Sequence, residues 1–459
     1  MKGIFYKKPI TQMDEGLLPH QHLKRCLTAF DLSLLGIGAI IGAGIFILTG
    51  LAAATKAGPA IVVSFILAGS ACGFSALSYA ELASSIGGCG SAYGYAYAGF
   101  GEIFAWIIGW DLILEYAVSC AAVAIGWSAY FAKLVNILGW VIPQKFLSSF
   151  LVGGFVDIPA FVIMMFLALL LILGIKNSAR VNAAIVLVKL VTITVFIAVS
   201  VPYVDFHQWA NFMPFGWKGI MGGAAMIFFA YIGFDAVSTA AEEAVDPKRD
   251  LPLGIINSLM ICTVIYVLVA GLLTLVMPYS SLNTASPVAD VLVRLGHASA
   301  ASLISVGALA GLTTVILVMF YGLSRVAYAM SRDNLLPKAW MHLNTRFHTP
   351  MRILVVAGIL ISLIAATMPI GDIAELVNIG TLAAFTMVNL GVIVLRYAQP
   401  DLPRPFKTPL GISLPILGIA FCVYLMLSLP WITWLRFLVW MVLGLGFYGA
   451  KVFHSSRVS

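Results

Sequence analysis

Charge is what this chain lacks most. Only 10% of its 459 residues are Asp, Glu, Lys or Arg, against about 25% in an ordinary soluble protein. Residues of the hydrophobic set make up 61% before the 42 glycines are added, where soluble chains reach about 45–50% with glycine included. No soluble globule hides that much apolar surface, and disorder is excluded for the same reason. Cysteine is sparse too. Cys26, Cys72, Cys89, Cys120, Cys262 and Cys422 are scattered and lie mostly in apolar segments. They show neither metal-ligand spacing nor a disulfide framework, and read as small buried hydrophobes. The seven histidines form no metal pattern, and no catalytic motif is present. No metal, cofactor or catalytic residue is therefore expected, and the chain does not read as an enzyme. A short apolar core with a small-residue cleavage site is also missing ahead of the first long apolar run. No cleaved signal peptide is expected, so the first span itself would direct insertion.

What fills the chain is apolar runs. A membrane helix needs about 20 mostly apolar residues. Such runs fall at 30–54, 59–84, 92–131, 157–174, 181–201, 219–240, 253–277, 298–331, 352–369, 373–396, 411–429 and 431–452. The expected fold is an all-α polytopic membrane protein with about twelve transmembrane helices, a count resting on that length rule. The 92–131 and 298–331 runs are long but hold no proline or strong turn signal. Each is expected as one tilted helix with an intracellular extension rather than two short helices. Twelve spans put both termini on one side. With the N-terminus in the cytoplasm, 19 of the 26 Lys and Arg fall inside and 6 outside, with Lys189 left within a span. That split follows the positive-inside rule. It accounts for the net charge of +7 without a nucleic-acid partner. It predicts a multi-pass protein of the cell (plasma or inner) membrane, with both termini cytoplasmic.

Two spans carry breaks. The first holds Gly36, Gly38, Gly42 and Gly44 within Gly36–Phe46, and glycine weakens a helix by about 1 kcal/mol relative to alanine. Close helix packing would use small residues at a fixed spacing. The adjacent Gly42-Ala43-Gly44 offers them on several faces and argues for an unwound stretch. Backbone unwound at membrane depth is tolerated only where protein or a polar cavity satisfies it. The sixth span reads Phe228-Phe229-Ala230-Tyr231-Ile232-Gly233-Phe234-Asp235, followed by Ser238 and Thr239, with a glycine in mid-span and a carboxylate two residues on. Spans one to five (30–201) and six to ten (219–396) then form two repeats with matching breaks. They are joined by an extracellular loop at 202–218, preceded by a cytoplasmic tail at 1–29, and followed by two further helices and a short tail at 397–459. Five is odd, so the second repeat is inverted. Interrupted helices in matching places of inverted halves point to a transporter binding site. An unwound span offers N–H groups from one half-helix and carbonyls from the other. A zwitterion, with both charges on one carbon, suits that pair, and an amino acid is the natural candidate.

At this point the residues are similar to a known family. Gly36–Phe46, Gly90-Ser91-Ala92-Tyr93-Gly94-Tyr95-Ala96-Tyr97, Gly101-Glu102 and Gly109-Trp110-Asp111-Leu112-Ile113-Leu114-Glu115-Tyr116 carry the first part of the resemblance. Lys189, Phe228–Glu243, Pro247-Lys248-Arg249-Asp250-Leu251-Pro252, Ser331-Arg332-Asp333 and Asn378-Ile379-Gly380-Thr381-Leu382 carry the rest. The chain resembles the amino acid–polyamine–organocation transporters, and within them the bacterial relatives of the cationic amino acid transporters. The resemblance covers nearly the whole chain. It implies a five-plus-five inverted repeat of the LeuT-like kind with two extra C-terminal helices, and proton-linked uptake of amino acids. It also implies that Ile40, Ile41, Gly42, Ala43, Gly44, Phe229, Ala230, Ile232 and Met319 contact substrate. The carboxylate would meet the backbone at Gly42, Ala43 and Gly44, and the amino group the carbonyls of Ile40, Phe229, Ala230 and Ile232. Phe229 would cover the site as a gate, and Met319 would line the side-chain pocket. Relatives often carry Ser or Thr where this chain has Ala43, so backbone donors must suffice or another hydroxyl must substitute.

Four ionisable residues inside spans add to this set. Lys189 lies about 13 Å along the helix from Arg180, too deep for easy snorkelling. A lysine in low dielectric can titrate near neutral pH. In the family reading its ammonium stands where sodium-coupled relatives hold an ion, so Lys189 is the expected proton-coupling residue. Asp111 and Glu115 are four apart, hence on one helix face. Glu115 and Asp235 are the candidates for reading a cationic side chain. Neutral and cationic amino acids both remain open. Glu81, Glu102, Glu242, Glu243, Lys248, Arg249, Arg332 and Asp333 fall near cytoplasmic ends, as an inner gate of ion pairs or as solvated span ends. The partners expected are an amino acid, a proton and the bilayer, with the protein a monomer and a small accessory subunit compatible with it. An exchanger or a sodium symporter of the same fold is the alternative. A channel would need rings of charge or carbonyls around a continuous pore, normally from several subunits.

Overall fold

The computed structural model describes residues 27–86, 92–173, 179–235, 237–238, 244–344 and 349–458. Helices account for almost all regular structure among them, beside three isolated β-bridges. In chain order they are α1 (Ala29–Ile40), α2 (Thr49–Ala52), α3 (Ile61–Ile86), α4 (Ala92–Gly99), α5 (Glu102–Ile137), α6 (Ile158–Ile172), α7 (Ala179–Ser200) and α8 (Gly216–Ile227). Then come α9 (Pro247–Val276), α10 (Pro287–Arg294), α11 (Ala298–Arg332), α12 (Met351–Thr367), α13 (Ile370–Ala398), α14 (Ser413–Leu427) and α15 (Trp431–Val458). Seven helical stretches are long and apolar enough to cross a membrane, and α1, α6, α12 and α14 are shorter apolar helices. This is a polytopic membrane protein.

Local chemistry sets the helix ends. Thr28 and Asp31 form a reciprocal capping box at the start of α1, satisfying donors that a helix N-terminus leaves free. Asp157 caps α6 through the Ala160 N–H at 3.1 Å and also accepts from the Ser128 hydroxyl of α5. Pro247 and Pro287 open α9 and α10, where a missing N–H costs nothing. The 298–331 run is one helix, as its sequence suggests. The 92–131 run is not. It divides into α4 and α5 at Gly101, whose φ of +102° closes the continuous helix. That conformation is open to glycine and strained for other residues, so the turn signal was Gly101 itself.

The inner bundle is built from α1, α3, α5, α8, α9, α11 and α13, with α5 lying along both α11 and α13, and α9 along both α1 and α3. Outer helices show large apolar side chains to their surroundings, including Phe166 on α6, Leu187 on α7, Leu363 on α12 and Val442 on α15. Lipid is the solvent such faces need. α15 docks on α5 through tryptophan. Trp110 and Trp440 stack at 4.5 Å, and each indole N–H donates to the other residue's carbonyl, at 3.0 and 3.2 Å. The described cysteines, Cys72, Cys120, Cys262 and Cys422, are buried free thiols.

Candidate functional site

Both breaks are present, and they touch. α1 stops at Ile40, and Ile41 is extended at φ −72°, ψ 99°. The chain resumes at Ala43 into the π-helical turn Gly44–Leu48 and then α2. In the other span α8 ends at Ile227 and a 3-10 turn covers Phe228–Tyr231. Ile232 is extended, and Gly233 has φ +121°. A methyl group on Gly44 would lie 2.2 Å from the Cα of Ala230. Only a residue without a side chain lets the two backbones approach so closely.

Backbone groups freed by the breaks need partners at this depth, and other helices supply them. The Lys189 ammonium from α7 donates to the carbonyls of Gly38 at 2.6 Å and Ile41 at 2.9 Å. The lysine is fully buried, and Gly311 on α11 leaves room for its stem. The Tyr266 hydroxyl of α9 lies 2.8 Å from both the Ile40 and Ala230 carbonyls, and so spans the two breaks. Its single hydrogen serves one of them at a time. The Tyr130 hydroxyl donates to Phe46 O at 2.8 Å. In the second span, the Asn378 amide from α13 donates to the carbonyls of Ala225 and Met226. The Asp235 carboxylate turns back to the Gly233 N–H at 3.1 Å and accepts from Tyr116 on α5 at 3.1 Å.

A cavity of about 260 Å³ opens between the breaks, lined by Ala39, Ile40, Gly42, Ala43, Gly44, Ser119, Val123, Phe229, Ile232, Val315 and Met319. The first N–H groups of a helical segment have no partner within it, and Ala43 and Gly44, which begin the second arm, lie on the wall of this space. Every side chain on the wall is apolar except Ser119. Its hydroxyl is buried and makes no hydrogen bond among the described residues.

The structure thus brings Ile40, Gly42, Ala43, Gly44, Phe229, Ile232 and Met319 to one cavity. The other sequence candidates lie outside its wall. Ile41 is turned to Lys189, and Ala230 is engaged with Tyr266 and Gly44. Asp235 braces the second break. Glu115 sits on α5 one turn before Ser119, beside Thr381 of α13. Ser119, Val123, Val315 and Tyr266 escaped sequence reasoning. Ser119 carried a signal, since it continues the i, i+4 face of Asp111 and Glu115.

Among the residues near span ends, Glu81 accepts from Arg396 at 2.8 and 2.5 Å and from the Thr408 N–H at 2.7 Å, with Arg404 3.7 Å away. Glu102 receives the Tyr97 and Tyr448 hydroxyls, and Asp333 that of Tyr93. Glu242 and Glu243 lie outside the described residues.

A family model for amino acid permeases matches residues 27–447. The chain belongs to the amino acid permease family. The permease is 48% identical over 454 residues to the branched-chain amino acid permease BcaP of Bacillus subtilis, covering 98% of this chain and 97% of that one. It is 45% identical over 446 residues to the methylthioribose transporter of the same organism, covering 97% and 96%. It is 38% identical over 393 residues to the vacuolar cationic amino acid transporter 4 of Arabidopsis thaliana, covering 83% of this chain and 65% of the relative. With permeases and transporters as its relatives, the protein is a transporter and not an enzyme.

Proposed function

We propose that the permease is a secondary active importer of neutral L-amino acids with apolar side chains, working by alternating access and coupled to protons through Lys189. The carrying observation is the wall of the central cavity. It joins backbone from both breaks to Val123, Val315, Met319, Phe229 and Ile232, with no charged side chain among them. Backbone N–H groups from Ala43 onward suit a carboxylate. The Phe229 and Ile232 carbonyls would take an amino group, and apolar walls suit an aliphatic side chain. A cationic side chain would have to pass Ser119 to reach Glu115. The branched-chain permease among the relatives supports the same reading. Matching breaks in spans one and six support twelve crossings in two inverted five-helix repeats, with α14 and α15 added and both termini cytoplasmic.

In this reading Lys189 in its ammonium form pins the first break through Gly38 and Ile41. Loss of the proton leaves a neutral amine whose two N–H bonds hold the carbonyls without charge assistance, which would loosen the first break and let the two arms move apart, so that protonation sets the access state. The relative named for methylthioribose supports a second reading, with Ser119 as the polar group for a sugar hydroxyl. Uptake of radiolabelled leucine into proteoliposomes tests both. An inside-alkaline pH gradient without sodium should drive accumulation, blocked by isoleucine and valine and spared by arginine and methylthioribose. Block by methylthioribose alone would move the assignment to the second reading. Equal block by arginine would overturn the apolar-side-chain assignment. Exchange of preloaded leucine without accumulation would overturn proton coupling.

A further inference from the structure

Eleven buried polar side-chain atoms make no hydrogen bond among the described residues, and seven of them belong to Tyr95, Asp111, Glu115, Ser119, Asn378 and Thr381. The clustering is geometric. Asp111, Glu115 and Ser119 recur every four residues, so they line one face of α5. Asn378 and Thr381 are three apart on α13, which packs along α5. Gly380 lies between them, and a methyl there would come within 2.7 Å of the Asp111 Oδ1 atom. Thr381 lies beside Glu115. Tyr95 comes from α4, with its ring 6.3 Å from that of Tyr79 on α3. Together these groups make a polar layer that starts at the cavity, at Ser119, and runs from there toward the N-terminal end of α5.

The donor set states what the layer needs. Four of the unpartnered atoms are acceptor-only oxygens, namely both of Glu115 and one each of Asp111 and Asn378, and three are hydroxyls. The charged and titratable groups facing Glu115 from the surrounding elements are Asp111, Asp235, Tyr79 and Tyr116. Asp235 is already hydrogen-bonded to Gly233 and Tyr116. Among the described residues, no lysine, arginine or histidine pairs with Asp111 or Glu115. Lys189 is engaged with Gly38 and Ile41. Carboxylates that meet no cation at membrane depth must take up positive charge. A single proton on a carboxyl turns one acceptor into a donor. Donors then outnumber acceptor-only oxygens four to three, the reverse of the ionised count.

We propose that the Asp111–Glu115 face of α5, closed by Asn378, Gly380 and Thr381 of α13, is a proton-binding site separate from Lys189. A proton held there sits one helical turn from the cavity wall, with Tyr95 and Asp111 on the far side. With Lys189 at the first break, the permease then carries two separate proton sites.

Infrared spectroscopy of the purified protein in lipid tests the site without substrate, so it and the transport assignment fail independently. A band from a protonated, buried carboxyl is expected at neutral pH. Glu115→Gln should abolish it and Glu115→Asp should restore it, with a shift in position. Asp111→Asn should shift the band rather than leave it unchanged. Thermal melts show which variants are folded, and the wild-type spectrum decides the point if Glu115→Gln does not fold. No acid band in the folded wild-type protein at neutral pH would overturn the proposal. So would a band unaltered in both Glu115→Gln and Asp111→Asn. Sodium chloride that raises the wild-type melting temperature above choline chloride, with no acid band, would overturn it in favour of a metal-cation site.

Discussion

The two broken spans solve the same physical problem with different chemistry. In the first, the freed carbonyls of Gly38 and Ile41 are held by one ammonium, and four glycines lie within nine residues. In the second, one positive-φ glycine suffices, and neutral or acidic side chains brace it, Asn378 on one side and Asp235 on the other. The ammonium of Lys189 can lose a proton, whereas the amide of Asn378 cannot. Under the proposed coupling the first break would respond to pH directly, and the second would follow it through Tyr266 and the Gly44–Ala230 contact. A switch of this kind needs only one titrating arm, provided the arms are mechanically joined.

The largest effect should come from removing the ammonium. Lys189→Met leaves two carbonyls unsatisfied in a buried site, at a cost of about 3 kcal/mol or more, since a hydrogen bond to a charged group contributes about 1.5–3 kcal/mol. Gradient-driven uptake should fall below detection and the melting temperature in lipid should drop. Uptake that keeps its full dependence on the pH gradient would remove Lys189 from the coupling. Next comes the contact that joins the arms. Gly44→Ala meets backbone, so overpacking should cost about 1–3 kcal/mol, with roughly 100-fold slower uptake that Ala230→Gly does not rescue. Gly36→Ala is the contrast. Its methyl would meet the Ser258 side chain at 2.4 Å, so Ser258→Gly should restore most of the activity. Rescue of Gly44→Ala and failure to rescue Gly36→Ala would exchange the roles assigned to the two glycines.

How much of this was legible in the sequence differs between the arms for the same reason. Four glycines in an apolar run announce a break, and a lysine at that depth announces a function. The cavity wall was half visible. Gly42, Ala43 and Gly44 lie at a break that sequence exposes, whereas Val123 and Val315 are ordinary residues inside long helices. Which face of α5 or α11 meets the cavity is decided by packing between helices far apart in sequence. Tyr266 was hidden likewise, since a tyrosine within an apolar span reads as core until its hydroxyl is seen between two carbonyls. Gly101 was readable and was outweighed by the apolar run around it. The polar layer on α5 was visible as Asp111 and Glu115, but its other half, Asn378 and Thr381, comes from a helix more than 250 residues away.

The smaller effects sharpen the comparison most. Tyr266→Phe removes one hydroxyl that touches both arms and should cost about 1–2 kcal/mol, seen as a roughly tenfold rise in the substrate concentration for half-maximal uptake. Asn378→Ala touches the second arm alone. It removes two donors, but also the amide oxygen that has no partner, so the losses partly offset and about 1 kcal/mol or less should remain. The double variant decides whether the arms act as one. Independent sites add within about 0.3–0.5 kcal/mol. If Tyr266 ties the breaks together, a second break already loosened by Asn378→Ala has less to lose when the hydroxyl goes. The pair should then cost less than the sum, by more than that margin. Strict additivity would mean that the arms move separately and that Tyr266 serves each carbonyl in turn without coupling them.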